Sequence, residues 1–191
     1  MPRRPRGAWL RDVSVIVVGL LAGGLLGLAL FLASTDQQLV IAFRPNRPEA
    51  ERFIIPVAGV LGGELTSSFG ADRGGGEREH LGIDILAERH TPVLAATHGV
   101  VVAIDSGGPG GKSVYQRARD GRTMLYYAHL NAVRPGLRIG FYLRPGDEIG
   151  TVGSTGNARD DSPHLHFAVY TVTDPNDWRR GRHIDPIDLL R

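Results

Sequence analysis

The sequence predicts a mainly β domain, an antiparallel sheet of sandwich-like form, behind one amino-terminal transmembrane helix. Three observations predict it. From about residue 54 onward short apolar runs alternate with glycine turns, no 3.6-residue periodicity appears after residue 36, and residues 13–34 carry no charged side chain. Short apolar runs bounded by turn residues are the pattern of strands and hairpins. A surface helix would instead repeat its apolar positions every three to four residues.

The elements follow in order. Arg3, Arg4, Arg6 and Arg11 against Asp12 place a charge of +3 in residues 1–12, a cytoplasmic basic segment. A helix over residues 13–34 would be roughly 33 Å long, against about 30 Å of bilayer hydrocarbon, so this stretch is expected to be a transmembrane anchor. The arginines ahead of it put the amino end in the cytoplasm. The expected location is the inner (cytoplasmic) membrane, single-pass, with the rest of the chain on the periplasmic or extracellular side. A cleaved signal peptide is the rival reading, but Phe31-Leu32-Ala33-Ser34 is a poor small-x-small cleavage site. Gly19, Gly23 and Gly27 recur every four residues on one face of that helix, a spacing that admits a homodimer by close helix pairing, although glycine is also simply common in membrane helices.

Residues 35–53, with Pro45, Pro48 and several charges, are expected to be a linker in which Leu39 to Phe43 could form a short strand. Residues 54–191 are the expected folded domain. Strands are predicted from Thr91 to Ala96, Gly99 to Ile104, Thr123 to Tyr127 and His166 to Val172. The glycine-rich loop from Ser106 to Lys112 falls between two of them, either walling a groove or serving as an ordinary hairpin connection.

Composition narrows the chemistry. Beyond residue 12 the chain has 18 basic and 19 acidic side chains, and no basic run interleaved with aromatics, which argues against a nucleic-acid partner. There is no cysteine, so any metal must be held by nitrogen and oxygen.

The richest signal is four histidines and one aspartate in three patches: His80-Leu81-Gly82-Ile83-Asp84, Tyr127-Ala128-His129-Leu130 and His164-Leu165-His166. A catalytic zinc takes three protein ligands from such residues and keeps a fourth position for water, so the five read as one metal site with two imidazoles left for proton work. On a strand His164 and His166 point the same way while Leu165 points into the opposite layer. Extended chain would hold His80 and Asp84 roughly 13 Å apart, too far to share an ion, so a bend is expected at Gly82.

These patches resemble those of the lysostaphin-type (LytM-like) zinc metalloendopeptidases, which cut peptide cross-links in bacterial cell walls. Supporting segments are similar too: Ser67-Ser68-Phe69-Gly70, Thr91-Pro92-Val93, Gly99-Val100-Val101, Arg144-Pro145-Gly146-Asp147-Glu148-Ile149-Gly150, Gly153-Ser154-Thr155-Gly156 and Asp185-Pro186. The resemblance implies that His80, Asp84 and His166 hold Zn2+, and that His129 and His164 serve catalysis. It implies peptidoglycan peptides as the substrate. Some members carry a tyrosine shortly before the first ligand that helps stabilise the oxyanion, whereas residues 72–79 here hold no aromatic ring. Arg73, Arg78 or a backbone N–H stand as substitutes.

The expected activity is metal-assisted hydrolysis of a peptide bond. No H-E-x-x-H glutamate is present, so an imidazole must carry the proton, and which of the two does so is open. The alternative is a non-catalytic LytM-like activator or binder of another cell-wall hydrolase. A lipoyl- or biotin-carrier-like module is a third reading, with Lys112 as the chain's only lysine. It would leave the five site residues unexplained. His90, His98, His183, Asp72, Asp160 and Asp161 are read as ordinary turn and loop residues.

Overall fold

In the computed structural model residues 53–190 are described, apart from 74 and 77. The basic segment, the anchor with its glycine face, and the linker up to residue 52 lie outside the described residues. Among the described residues no helix is long and apolar enough to cross a membrane.

The domain is mainly antiparallel β. Its strands are β1 (Asp72–Arg73), β2 (Arg78–Glu79), β3 (Ile83–Leu86), β4 (Pro92–Leu94), β5 (Gly99–Ser106), β6 (Lys112–Ala118), β7 (Thr123–Val133), β8 (Tyr142–Leu143), β9 (Glu148–Val152), β10 (His164–Thr171) and β11 (Arg182–Ile184). Helix among the described residues is limited to two single 3-10 turns, Gly62–Glu64 and Pro186–Asp188. The four strands expected in the folded domain are present, that from Thr91 to Ala96 only over Pro92–Leu94. β7 and β5 run further than their apolar runs suggested.

β1 and β2 form a small hairpin, and the other nine strands make one branched sheet in the order β11-β10-β7-β6-β5-β8. β3 joins β10 on the side away from β7, with Asp84 opposite His166 and Leu86 opposite His164. β7 is the spine. Its residues 123–128 pair with β10, while Leu130, Ala132 and Val133 pair with β9. The partner changes at residue 129, where the pairing with β6 also slips by one residue, from Val114↔Tyr127 to Lys112↔Leu130.

Strand alternation separates core from site. Ile83 and Ile85 of β3, Leu125 and Tyr127 of β7, and Leu165, Phe167 and Val169 of β10 are all buried in one cluster. Burying a side chain of this size contributes roughly 1.5–3 kcal/mol. The residues between them, Asp84, Tyr126, Ala128, His164 and His166, therefore emerge on the opposite face. Phe53, at the end of the expected linker, is itself buried in that core and bridges Leu190. Tyr127 carries its hydroxyl into the core, where it donates to Gln116 Oε1 at 2.7 Å and accepts from the Ala96 N–H at 3.0 Å.

Candidate active site

The five residues singled out in the sequence lie in one cleft of about 530 Å³. β3 supplies Asp84, the segment just before it His80, β10 supplies His164 and His166, and β7 supplies His129. The chain does bend between His80 and Asp84, but Gly82 is there for close approach rather than for unusual dihedrals. A Cβ on it would come 2.6 Å from the Phe167 carbonyl oxygen and 3.0 Å from His166 Cε1.

Three donor atoms converge. His80 Nε2 lies 2.9 Å from His166 Nδ1 and 3.0 Å from Asp84 Oδ1, and His166 Nδ1 lies 3.1 Å from the same oxygen. Ligands 2.0–2.1 Å from a tetrahedral zinc stand about 3.3 Å apart, so this triangle has the size of one face of such a site. The chemistry of the donors agrees. His80 Nδ1 is 2.8 Å from the Ser68 carbonyl, which can only accept, so Nδ1 carries the proton and Nε2 turns a lone pair inward. An inward nitrogen lone pair beside a carboxylate oxygen suits a cation, and the set fits zinc. Ser68 also holds Asp84, its hydroxyl accepting from the Asp84 N–H at 3.3 Å. Ser67 in turn donates to Asp185 at 2.7 Å.

The other two histidines are oriented by the same device. His129 Nδ1 donates to the Thr155 carbonyl and His164 Nδ1 to the Ser162 carbonyl, each at 2.8 Å. Both Nε2 atoms are thereby left unprotonated in the neutral rings. His164 Nε2 stands 3.8 Å from Asp84 Oδ1. The ring centroids of His129 and His164 are 5.0 Å apart, and those of His129 and His166 5.9 Å. Burial pushes the His129 pKa down to about 4, outweighing the Thr155 carbonyl that favours its proton. Burial likewise lowers His166, against the opposing pull of Asp84. Both rings are thus neutral near pH 7.

Backbone conformation aims His129. Its φ is 60°, in the left-handed region that costs a non-glycine residue roughly 1–2 kcal/mol. Strict alternation from Leu125 and Tyr127 would have sent residue 129 into the core. The left-handed residue instead keeps His129 beside Ala128 on the cleft side and returns Leu130 to the core.

Several contributors were not evident in the sequence. Pro109 and Gly110 line the cleft, so the Ser106–Lys112 connection does wall the groove. Tyr126, also in the lining, meets His166 edge-on at 5.9 Å and stacks on Tyr115 at 4.4 Å. Asp160, read from sequence as a solvated loop residue, accepts from the Ser154 hydroxyl at 2.9 Å, while Arg89 donates to Ser154 and to the Asp160 carbonyl. This strut shapes the loop before His164. His183 donates to the Leu81 carbonyl at 2.9 Å and braces the turn between His80 and Asp84. His90 meets Asn131 and His98 meets Tyr142, both at exposed positions. The Lys112 ammonium donates to the Asn131 carbonyl at 2.8 Å. The side chains of Arg73 and Arg78 lie outside those described.

Comparison with known proteins agrees with this geometry. The chain is 36% identical over 131 residues to an L-Ala–D-Glu endopeptidase from Bacillus subtilis, covering 65% of this chain and 39% of that protein. It is 32% identical over 131 residues to the cell division protein DipM from Caulobacter vibrioides, covering 68% of this chain and 20% of that one. The chain thus spans well under half the length of these curated relatives. Among solved structures, the catalytic domain of the antimicrobial peptidase lysostaphin from Staphylococcus simulans superposes with a TM-score of 0.54 at 27% identity, over 64% of this chain and 88% of that domain. The profile of Peptidase family M23 matches residues 78–186, more than half of the sequence and all five cleft residues, and the chain belongs to that family.

Proposed function

We propose that this protein is a membrane-anchored zinc metalloendopeptidase that hydrolyses peptide cross-links of peptidoglycan during cell-wall remodelling. The observation that carries the reading is the convergence of three donor atoms about 3 Å apart beside two further imidazoles in one cleft. His80, Asp84 and His166 would hold the ion. Zinc supplies Lewis acidity there, polarising a carbonyl and acidifying water.

The remaining chemistry belongs to the chain. His129, kept neutral by burial and with its Nδ1 proton committed to Thr155, takes at Nε2 the proton lost by the attacking water and returns it to the leaving amine. His164, fixed by the Ser162 carbonyl, would donate from a protonated Nε2 to the negative charge that develops on the carbonyl oxygen of the tetrahedral intermediate. The Bacillus relative's name, an L-Ala–D-Glu endopeptidase, supports a peptide containing a D-amino acid as substrate. The uncharged run at residues 13–34 supports anchoring with the domain outside the cytoplasm.

The test uses the full chain in detergent. It should bind about one zinc by elemental analysis and release muropeptides from purified peptidoglycan, with mass spectrometry naming the bond. His80→Ala or Asp84→Ala should remove both metal and activity, while His129→Ala or His164→Ala should keep metal and lose turnover. A zinc-loaded chain that releases nothing, yet raises the activity of a second wall hydrolase, would replace this reading with that of a non-catalytic activator.

A further inference from the structure

Two loops more than forty residues apart in sequence close around His129. Gly111 and Gly156 pack so tightly that a Cβ on either would collide with the other's backbone amide. The Asn157 N–H donates to the Pro109 carbonyl at 2.9 Å, and the His129 N–H donates to the Gly110 carbonyl at 2.9 Å. Thr155 sits where these contacts meet. Its hydroxyl accepts from the Lys112 N–H at 2.9 Å and donates to the Leu130 carbonyl at 2.8 Å, tying the start of β6 to β7 one residue beyond the histidine. Its carbonyl receives the His129 Nδ1 proton.

We propose that Thr155 is the positioning residue of His129: its hydroxyl locks the two loops, and the lock sets the carbonyl that fixes the imidazole's tautomer and direction. The consequence for turnover rests on the reading of His129 as proton carrier, whereas the effect on the tautomer does not. The hydroxyl spends both of its bonds on backbone, so nothing but another hydroxyl can replace it. Displacement of a proton-transfer group by about 1 Å costs up to a hundredfold in rate, and loss of a supporting hydrogen bond typically costs ten- to a hundredfold.

The experiment compares the full-length zinc-loaded protein with Thr155→Val, Thr155→Ala and Thr155→Ser. Valine keeps the branch, alanine keeps a smaller residue if valine does not fold, and serine keeps the hydroxyl. In valine and alanine variants kcat should fall at least about tenfold, with KM within twofold and zinc content unchanged. The hydrogen-bonded Nδ1–H signal of His129 in nitrogen-15 NMR should disappear, and serine should restore both rate and signal. Parental kcat or an unshifted Nδ1–H signal in Thr155→Val would overturn the assignment. So would a KM or zinc content that falls in step with kcat. If the parent itself cleaves nothing, the peptidase reading fails on its own, and the NMR signal alone decides whether Thr155 positions the ring.

Discussion

The left-handed backbone at His129 gives a prediction in which two variants lose the same imidazole and differ in backbone strain and in the freedom of the unfolded chain. His129→Gly and His129→Ala both remove the imidazole, its bond to Thr155 and its contacts with His164 and His166. At φ 60° alanine retains the clash between Cβ and the following carbonyl, about 1–2 kcal/mol, which glycine does not have. Glycine gives back roughly 0.4–1 kcal/mol through the greater freedom of its unfolded chain. The glycine variant should therefore be the more stable by about 1 kcal/mol, or about 3–4 °C in Tm for a domain of this size. Thermal and urea unfolding of the metal-free proteins would measure the difference without metal linkage. Both variants should lack peptidase activity. An alanine variant as stable as the glycine variant, or more so, would mean that the fold does not hold residue 129 under strain, and the account of how the ring is aimed would be wrong.

Three further outcomes follow. The metal-free protein should lose stability as pH falls from about 6.5 to about 4, because the unfolded chain gains the His129 proton before the folded one does; His129→Gln should flatten that part of a pH series of unfolding midpoints. Gly82→Ala should push β3 from β10, since its Cβ would stand 2.6 Å from the Phe167 carbonyl oxygen. A loss of about 1–3 kcal/mol by urea unfolding, with weaker zinc binding by competition with a chelator, is expected. Tyr127→Phe leaves the Gln116 carbonyl and the Ala96 N–H without their buried partner, and should cost about 1–3 kcal/mol while zinc content stays at the parental level.

Part of the site was legible in the sequence because His164, His166 and His129 sit on strands. Alternation alone put His164 and His166 on one side and Leu165 on the other, and the structure keeps that pattern, with Leu165 and Phe167 in the core. The His80 to Asp84 bend was legible from the reach of extended chain. The supporting contacts were less so. Ser68, Thr155, Ser162 and His183 act through backbone carbonyls or hydroxyls 12 to 102 residues distant, except for Ser162, which holds His164 from two residues away. A serine or threonine in a glycine-rich stretch looks the same in sequence whether it braces an imidazole or only solvates a loop. Asp160, an exposed loop residue as expected, adds hydrogen bonds to Ser154 and Arg89 that its sequence context does not announce.

By itself the sequence determined the chemical inventory: candidate nitrogen and oxygen ligands without thiolate, strand-forming runs, and that His164 and His166 share a face. Those follow from side-chain chemistry and a two-residue period, both local. Only the tertiary structure decided that Asp84 lies opposite His166, that the Gly111 and Gly156 loops lock together, and that His129 faces the cleft. The period of two points residue 129 into the core. A single left-handed residue, placed where β7 exchanges one partner strand for another, reverses it, and that choice is made by pairing between segments far apart in the chain.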